Sequence, residues 1–229
     1  MEDDENAKVC KVVLLGESGV GKTCIIERFV DDIFEEGKIL TSIASFRAKI
    51  MTFEKFQGKS IKFEVWDTAG QEKYRALNRI FYKDAGAAIL VYDITKKESF
   101  EQIQKYWYNQ VKESTPKNIS KKILYNYCFF ILLVIGIAGN KSDLFDKEQV
   151  DEEEAKKYAT EVGAFFRLTS ACTSIGIEEL FKSIGNKLLD PNYKDDEDDN
   201  NNEKNKGTNN KGVKLDKAKN NTKKKKACC

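Results

Sequence analysis

A chain of 229 residues, 41% hydrophobic and 33% charged, can bury one α/β-sized core and carry appendages beside it. Its formal net charge of +2 is too small to bind a nucleic acid polymer along the whole chain. The absence of histidine excludes a Cys/His zinc site. Cys10, Cys24, Cys128, Cys172, Cys228 and Cys229 show no metal-ligand spacing and point to a reducing compartment. The acidic start, Met1 to Glu5, lacks both an apolar signal segment and the glycine needed for myristoylation, so nothing there directs export.

In chain order, strands alternate with helices. Lys11 to Leu15 reads as a buried strand, and Lys22 to Val30 as a helix with Ile25, Ile26, Phe29 and Val30 on its apolar side. Ala48 to Phe56 and Lys59 to Trp66 read as a hairpin turning at Gln57 and Gly58. Ala87 to Tyr92 is a core strand, and Lys97 to Glu113 a helix with Phe100, Ile103, Trp107 and Val111 at helical spacing. A strand ends at Ile137, a helix runs from Glu152 to Val162, and Phe165 to Leu168 is the last strand. Gly176 to Leu189 is the last helix. Such alternation predicts an α/β fold: a mostly parallel sheet flanked by helices on both faces, with ligand at the carboxyl ends of the strands.

Three motifs sit at those ends. Gly16, Glu17, Ser18, Gly19, Val20, Gly21, Lys22 and Thr23, with Cys24 behind them, form a complete phosphate-binding loop between a strand and a helix. Its glycines let backbone N–H groups turn toward phosphate oxygens, and the helix N-terminus adds partial positive charge. Lys22 is expected to reach the β- and γ-phosphates and the Thr23 hydroxyl to ligate Mg2+. Asp67, after Trp66, is placed to hold the same Mg2+, directly or through water. Gly70 would bring an N–H to the γ-phosphate, and Gln71 would orient the attacking water. Asn140, Lys141 and Asp143 follow the fifth strand; a carboxylate there accepts two N–H bonds from guanine, which adenine cannot donate. Thr169, Ser170 and Ala171, after the last strand, offer backbone N–H groups to the guanine carbonyl.

The ordered series is similar to the Ras-like small GTPases, and specifically to the Rab family. Its family marks are Trp66-Asp67-Thr68-Ala69-Gly70-Gln71-Glu72-Lys73-Tyr74, Phe81 to Ala85, Leu90 to Thr95 and the terminal Cys228-Cys229. The resemblance covers about Val9 to Leu189 and implies a P-loop NTPase of the Ras-like G-domain type. It implies that Thr41, eighteen residues after Thr23, completes the Mg2+ shell only with GTP, and that Phe34 packs on guanine. The segment Thr41 to Phe46 lacks the glycine common in Rabs near Ile43, and is closer to the endosomal branch. The resemblance further implies slow hydrolysis of GTP to GDP, an activating protein, an exchange factor, a GDP-dissociation inhibitor or escort protein, and GTP-state effectors. No arginine in these motifs is placed to neutralise charge developing during hydrolysis. The implied role is vesicle traffic on the cytoplasmic face of an endosome or Golgi-derived vesicle, with cycling through cytosol.

Several features depart from the family pattern. Cys172 stands where lysine is usual, beside Ser170 and Ala171 at the guanine. The hairpin is a few residues longer than usual. About fourteen extra residues lie between Trp107 and Asn140, assigned to an insertion at 120–133 that could be a translated intron. Ile123 to Gly139 is uncharged and nearly all apolar, but its end must form the strand that delivers Asn140, so a membrane span is rejected. Residues 1–8 are expected to be a flexible N-terminus and 190–229 a disordered tail, acidic and then rich in Asn and Lys. Lys223 to Lys226 would attract an anionic leaflet, and the resemblance implies prenylation of Cys228 and Cys229, whose chains supply the anchor. A nucleotide-binding scaffold with impaired hydrolysis is the alternative if the insertion or Cys172 spoils the site.

Overall fold

The computed structural model describes residues 7–38, 41, 45–68, 84–114 and 133–194. Among them, six strands form one sheet: β1 (Lys8–Leu15), β2 (Ser45–Phe53), β3 (Lys59–Asp67), β4 (Ala87–Asp93), β5 (Val134–Asn140) and β6 (Phe165–Thr169). Their order is β2-β3-β1-β4-β5-β6. Only the β2–β3 pair is antiparallel; every other neighbouring pair is parallel. The helices are α1 (Lys22–Asp31), α2 (Lys97–Gln102), α3 (Tyr108–Ser114), α4 (Glu152–Val162) and α5 (Ile177–Leu189). The expected mostly parallel α/β sheet is what the chain forms.

Side-chain alternation along the central strands builds two cores from one sheet. Val12 and Leu14 of β1, with Ile89 and Val91 of β4, pack against Ile25 and Phe29 of α1 and Leu180, Phe181 and Ile184 of α5. Val13 and Leu15, with Leu90 and Tyr92, face the other way onto Phe100, Trp107, Val111 and Ala155. All seven residues of β4 are buried, as a strand covered on both faces requires. Across the α1–α5 contact the Phe29 and Phe181 rings stack with centroids 3.6 Å apart, and Phe63 meets Phe181 edge-on at 5.6 Å.

The elements depart from the sequence expectation in four places. β1 begins at Lys8, inside the stretch expected to be flexible, because it pairs with β3 from Lys8↔Ile61 onward. β2 begins at Ser45 and ends at Phe53; its exposed first residues hide the period-2 signal, and a 3-10 turn takes Glu54–Phe56. The long helix expected over Lys97 to Glu113 is interrupted by a π turn at Ile103–Trp107 between α2 and α3. At the other end, Tyr193 packs its ring on Phe165, at 6.2 Å between centroids, so the packed body runs past the expected boundary at Asp190.

The insertion expected at 120–133 lies outside the described residues except for Leu133, which packs on the second core. The distal tail with Cys228 and Cys229 lies outside them too. Among the described residues no helix is long and apolar enough to cross a membrane.

Phe181 is fully buried where α1, α5 and β3 meet. Phe181→Ala is expected to lower unfolding free energy by about 3–5 kcal/mol, read from denaturant titration, through lost transfer energy plus the cavity left behind.

Candidate functional site

Five strands end on the same edge of the sheet, and each of β1, β3, β4, β5 and β6 delivers polar groups immediately beyond its last apolar residue. This edge is where a parallel sheet presents a ligand crevice. The loop from Gly16 to Gly21 joins β1 to α1 there. Gly16 (φ 148°) lies so close to β4 that a Cβ would fall 2.2 Å from the Val91 carbonyl oxygen. Gly21 caps α1 at φ 98°, where a Cβ would fall 2.3 Å from Asn140 Nδ2. Both positions therefore demand glycine, on conformational and steric grounds together.

Lys22 opens α1 and is buried, its Nζ donating to the Gly16 carbonyl at 2.9 Å and the Glu17 carbonyl at 2.8 Å. Burial pulls its pKa down to about 8, opposed by the charges of Asp67 and Glu17. The Glu17 side chain is engaged elsewhere, accepting from Trp107 Nε1 at 3.1 Å. The expected phosphate-loop lysine is thus folded back over its own loop.

Next along α1, Thr23 Oγ1 donates to Asp67 Oδ2 at 2.6 Å and lies 2.6 Å from Thr41 Oγ1. Thr41 Oγ1 is itself 3.5 Å from Asp67 Oδ2. Asp67 is buried at the end of β3, and burial raises its pKa against the hydrogen bond from Thr23 and the charge of Lys22. Its second oxygen, Oδ1, is buried without a hydrogen-bond partner among the described residues. Three residues that the sequence separates by up to 44 positions thereby converge on one point.

On the far side, Asn140 ends β5, its Nδ2 donating to the Val20 carbonyl at 2.8 Å while its Oδ1 accepts from Thr169 Oγ1 at 3.3 Å. That one amide ties the phosphate loop to the last two strands. Lys141, at φ 67°, turns the chain and pairs its Nζ with Asp93 Oδ2 at 2.7 Å. Asp143 accepts from Ser170 Oγ at 2.6 Å. A cleft of about 300 Å³ runs from Ser18, Gly19 and Thr23 past Cys24 and Phe34 to Asn140, Lys141, Asp143, Ala171 and Cys172, with Thr41 on its wall.

Most of the expected residues are thus brought together. Ser170 is a correction: its backbone N–H donates to the Ile175 carbonyl at 2.9 Å and so is not one of the amides open to the base. Ser170 instead fixes Asp143 through its hydroxyl. Among the described residues Cys10 and Cys24 are free thiols. Gly70 and Gln71 lie outside the described residues.

Three contributors have no role assigned in the motifs, although Asp93 lies within the mark Leu90 to Thr95. Arg28 Nε donates to the Ala171 carbonyl at 2.8 Å and so fastens the base-side loop to α1. Asp93 holds Lys141, and Trp107 holds Glu17. Asp93 stands at the end of β4 as Asp67 does at the end of β3, and that shared position is the available signal. Arg28 and Trp107 read as an ordinary surface cation and a core aromatic, with no local pattern to distinguish them.

The Ras family profile matches residues 11–190. The chain belongs to the Ras family. It is 43% identical over 178 residues to Ras-related protein Rab-22A of Homo sapiens, covering 78% of this chain and 82% of that protein. It is 42% identical over 184 residues to Ras-related protein Rab-31 of Rattus norvegicus, covering 79% and 85%. Ras-related protein Rab-13 of Bos taurus is 40% identical over 179 residues, 78% of this chain and 79% of that one. It is therefore a Rab-type small GTPase, a GTP-hydrolysing switch of vesicle traffic. Ras-family GTPases generally use Mg2+. The cluster of hydroxyl and carboxylate oxygens at Thr23, Thr41 and Asp67 is of the hard type that Mg2+ prefers, and the unpartnered Asp67 Oδ1 fits such an ion.

Because the Asn140 amide bridges the phosphate loop and β6 inside the GTPase, Asn140→Ala should lower unfolding stability by about 1–3 kcal/mol even without nucleotide. Thermal unfolding of nucleotide-free protein reads this; an unchanged midpoint would assign Asn140 to nucleotide contact alone.

Proposed function

We propose that this GTPase reports its nucleotide state through Thr41 and Gly70, and that Gln71 performs the catalytic positioning. The convergence of Thr23, Thr41 and Asp67 oxygens at the end of the phosphate loop carries this reading. In it, the backbone of Gly16 to Thr23 cradles the phosphates and Lys22 swings from the Gly16 and Glu17 carbonyls to the β- and γ-oxygens. Thr23, Thr41 and Asp67 would hold Mg2+, which would supply charge neutralisation at the phosphates. Gln71 orients the water that attacks the γ-phosphate. Loss of that phosphate removes the contact that holds Thr41, and the segment is released.

On the base side, Asp143 accepts from guanine N1 and the exocyclic amine, Ala171 donates to the guanine carbonyl, and Phe34, Lys141 and Cys172 pack around the ring. The alignment of Asp143 by Ser170 supports this assignment. Residues 8–193 form the GTPase domain in this reading, with 120–133 inserted in it. Residues 194–229 form a tail whose Cys228 and Cys229 carry prenyl groups. Two chains anchor stably where a lysine patch alone is marginal. The partners are an activating protein, an exchange factor, a GDP-dissociation inhibitor or escort protein and GTP-state effectors. The working membrane is the cytoplasmic face of an endosome or related vesicle.

Single-turnover hydrolysis tests the catalytic assignment. The wild-type protein is expected to convert bound GTP to GDP slowly and Gln71→Leu to do so at least about tenfold more slowly. Equal rates would favour a nucleotide-binding scaffold. Asp143→Asn should weaken GTP binding about 10- to 150-fold, the loss of a charged hydrogen-bond pair. The same change should improve binding of xanthosine triphosphate, whose ring oxygen can accept from the new amide. Unchanged GTP affinity would remove Asp143 from the base site.

A further inference from the structure

The Arg28 side chain on α1 is only 15% exposed, and a guanidinium so enclosed needs acceptors for its fixed fork of donors. It finds them on two segments. Nε donates to the Ala171 carbonyl at 2.8 Å, and Nη2 reaches the Cys172 carbonyl at 3.4 Å. The other arm, Nη1, donates to the Asp32 carbonyl at 2.9 Å and to Asp32 Oδ1 at 2.8 Å. The Asp32 side chain is 83% exposed, so its ion pair with Arg28 alone would contribute little. What sets Arg28 apart is that it grips backbone on both segments.

Each segment carries one wall of the base end of the cleft. Asp32, at φ 56°, ends α1 in a left-handed turn, and Phe34 follows two residues later. The described residues lining the cleft include Phe34, Ala171 and Cys172 but not Arg28. Ser170 ties the base-side loop to itself and to Asp143, and Arg28 ties that loop to α1. A planar fork fixes the orientation of what it binds as well as its distance. The Ala171 N–H lies in the peptide plane between the Ser170 N–H, bonded to Ile175, and the Ala171 carbonyl, bonded to Arg28. With both neighbours held, that rigid plane has little freedom to turn.

We infer that Arg28 is a positioning residue for guanine: one guanidinium fixes the Ala171–Cys172 backbone and the Asp32 turn, and so aims the Ala171 amide and the Phe34 ring at the base. The inference rests on the reading of Ala171 and Phe34 as guanine contacts. Guanine is common to GDP and GTP, so a loss there weakens both alike and does not depend on Mg2+. A residue that merely stabilised the fold would not change how the site tells one acceptor at the C6 position of the base from another. Arg28 belongs to no phosphate- or base-binding motif.

The test uses the full chain, as wild type, Arg28→Met and Arg28→Lys. Release of ribose-labelled fluorescent GDP and of a fluorescent non-hydrolysable GTP analogue is followed in Mg2+ and in excess EDTA. Arg28→Met keeps the apolar stem without the fork and should release both nucleotides about fivefold to thirtyfold faster. The further acceleration caused by EDTA should keep its wild-type size within about twofold, because the phosphate end is a separate site. Affinities for GDP and 6-thio-GDP, whose sulfur at C6 is a poor acceptor, are then measured by competition. Wild type should prefer GDP by at least about fivefold, and Arg28→Met should cut that preference by at least about threefold. Arg28→Lys keeps the charge but cannot serve both segments, and should resemble Arg28→Met; if Arg28→Met does not fold, Arg28→Lys decides alone on the same readings. Unchanged release, acceleration of one nucleotide only, a preference for GDP that survives intact, or wild-type behaviour of Arg28→Lys overturns the inference. Wild type that binds GDP and 6-thio-GDP equally is a different failure: it removes the Ala171 amide from the base site, and the role of Arg28 with it.

Discussion

Thr23 Oγ1 lies 2.6 Å from both Asp67 Oδ2 and Thr41 Oγ1, and the phosphate end of the cleft depends on that convergence. Nothing local in the chain produces it. Asp67 comes into place because β3 runs parallel to β1 in the register Val13↔Trp66, which sets the end of β3 beside the phosphate loop. Thr23 comes into place because Gly21 takes φ 98° and lets α1 start at once behind the loop. The sheet therefore acts as a ruler, and the loop glycines as joints. A slip of one residue in the β1–β3 pairing would turn Asp67 toward the opposite face and remove the carboxylate from the site.

Helix α1 is the structural hub through which the parts communicate. Its first turn supplies Lys22 and Thr23, its middle supplies Ile25 and Phe29 to the core, and its polar side holds neighbouring loops. Arg28 fastens the base-side loop at the Ala171 carbonyl, and Glu27 pairs with Lys38 and Arg47. The Phe29–Phe181 stack fixes the helix to α5, so these polar contacts act from a rigid platform.

The phosphate loop, Asp67 and the Asn140 to Asp143 run were legible from the chain because each is a dense local pattern at a strand end. The two-faced sheet was legible from the alternation of apolar strands with amphipathic helices. The π turn at Ile103–Trp107 was not, since the periodicity of Phe100, Ile103, Trp107 and Val111 also fits an unbroken helix. The reach of Trp107 to Glu17 and of Arg28 to Ala171 spans 90 and 143 residues, and no local signal encodes such a pair. Ser170 was assigned an amide role that its hydroxyl fills in another way, because the backbone bond to Ile175 appears only once the loop is folded. Glu27 reads as a solvated helix charge until Lys38 and Arg47 are seen to close over it.

The central claim is that oxygens of Thr23, Thr41 and Asp67 form one cation site that senses the γ-phosphate. Crystal structures of the full chain with Mg2+ and either GDP or a non-hydrolysable GTP analogue test it most directly. With the analogue, Thr23 and Thr41 hydroxyls should lie about 2.0–2.1 Å from a single Mg2+, with Asp67 bound to it directly or through water. With GDP, Thr23 should keep its ligand bond and Thr41 should have left. A Thr41 bound to the ion in both states, or an ion held by neither Thr23 nor Asp67, would contradict the account.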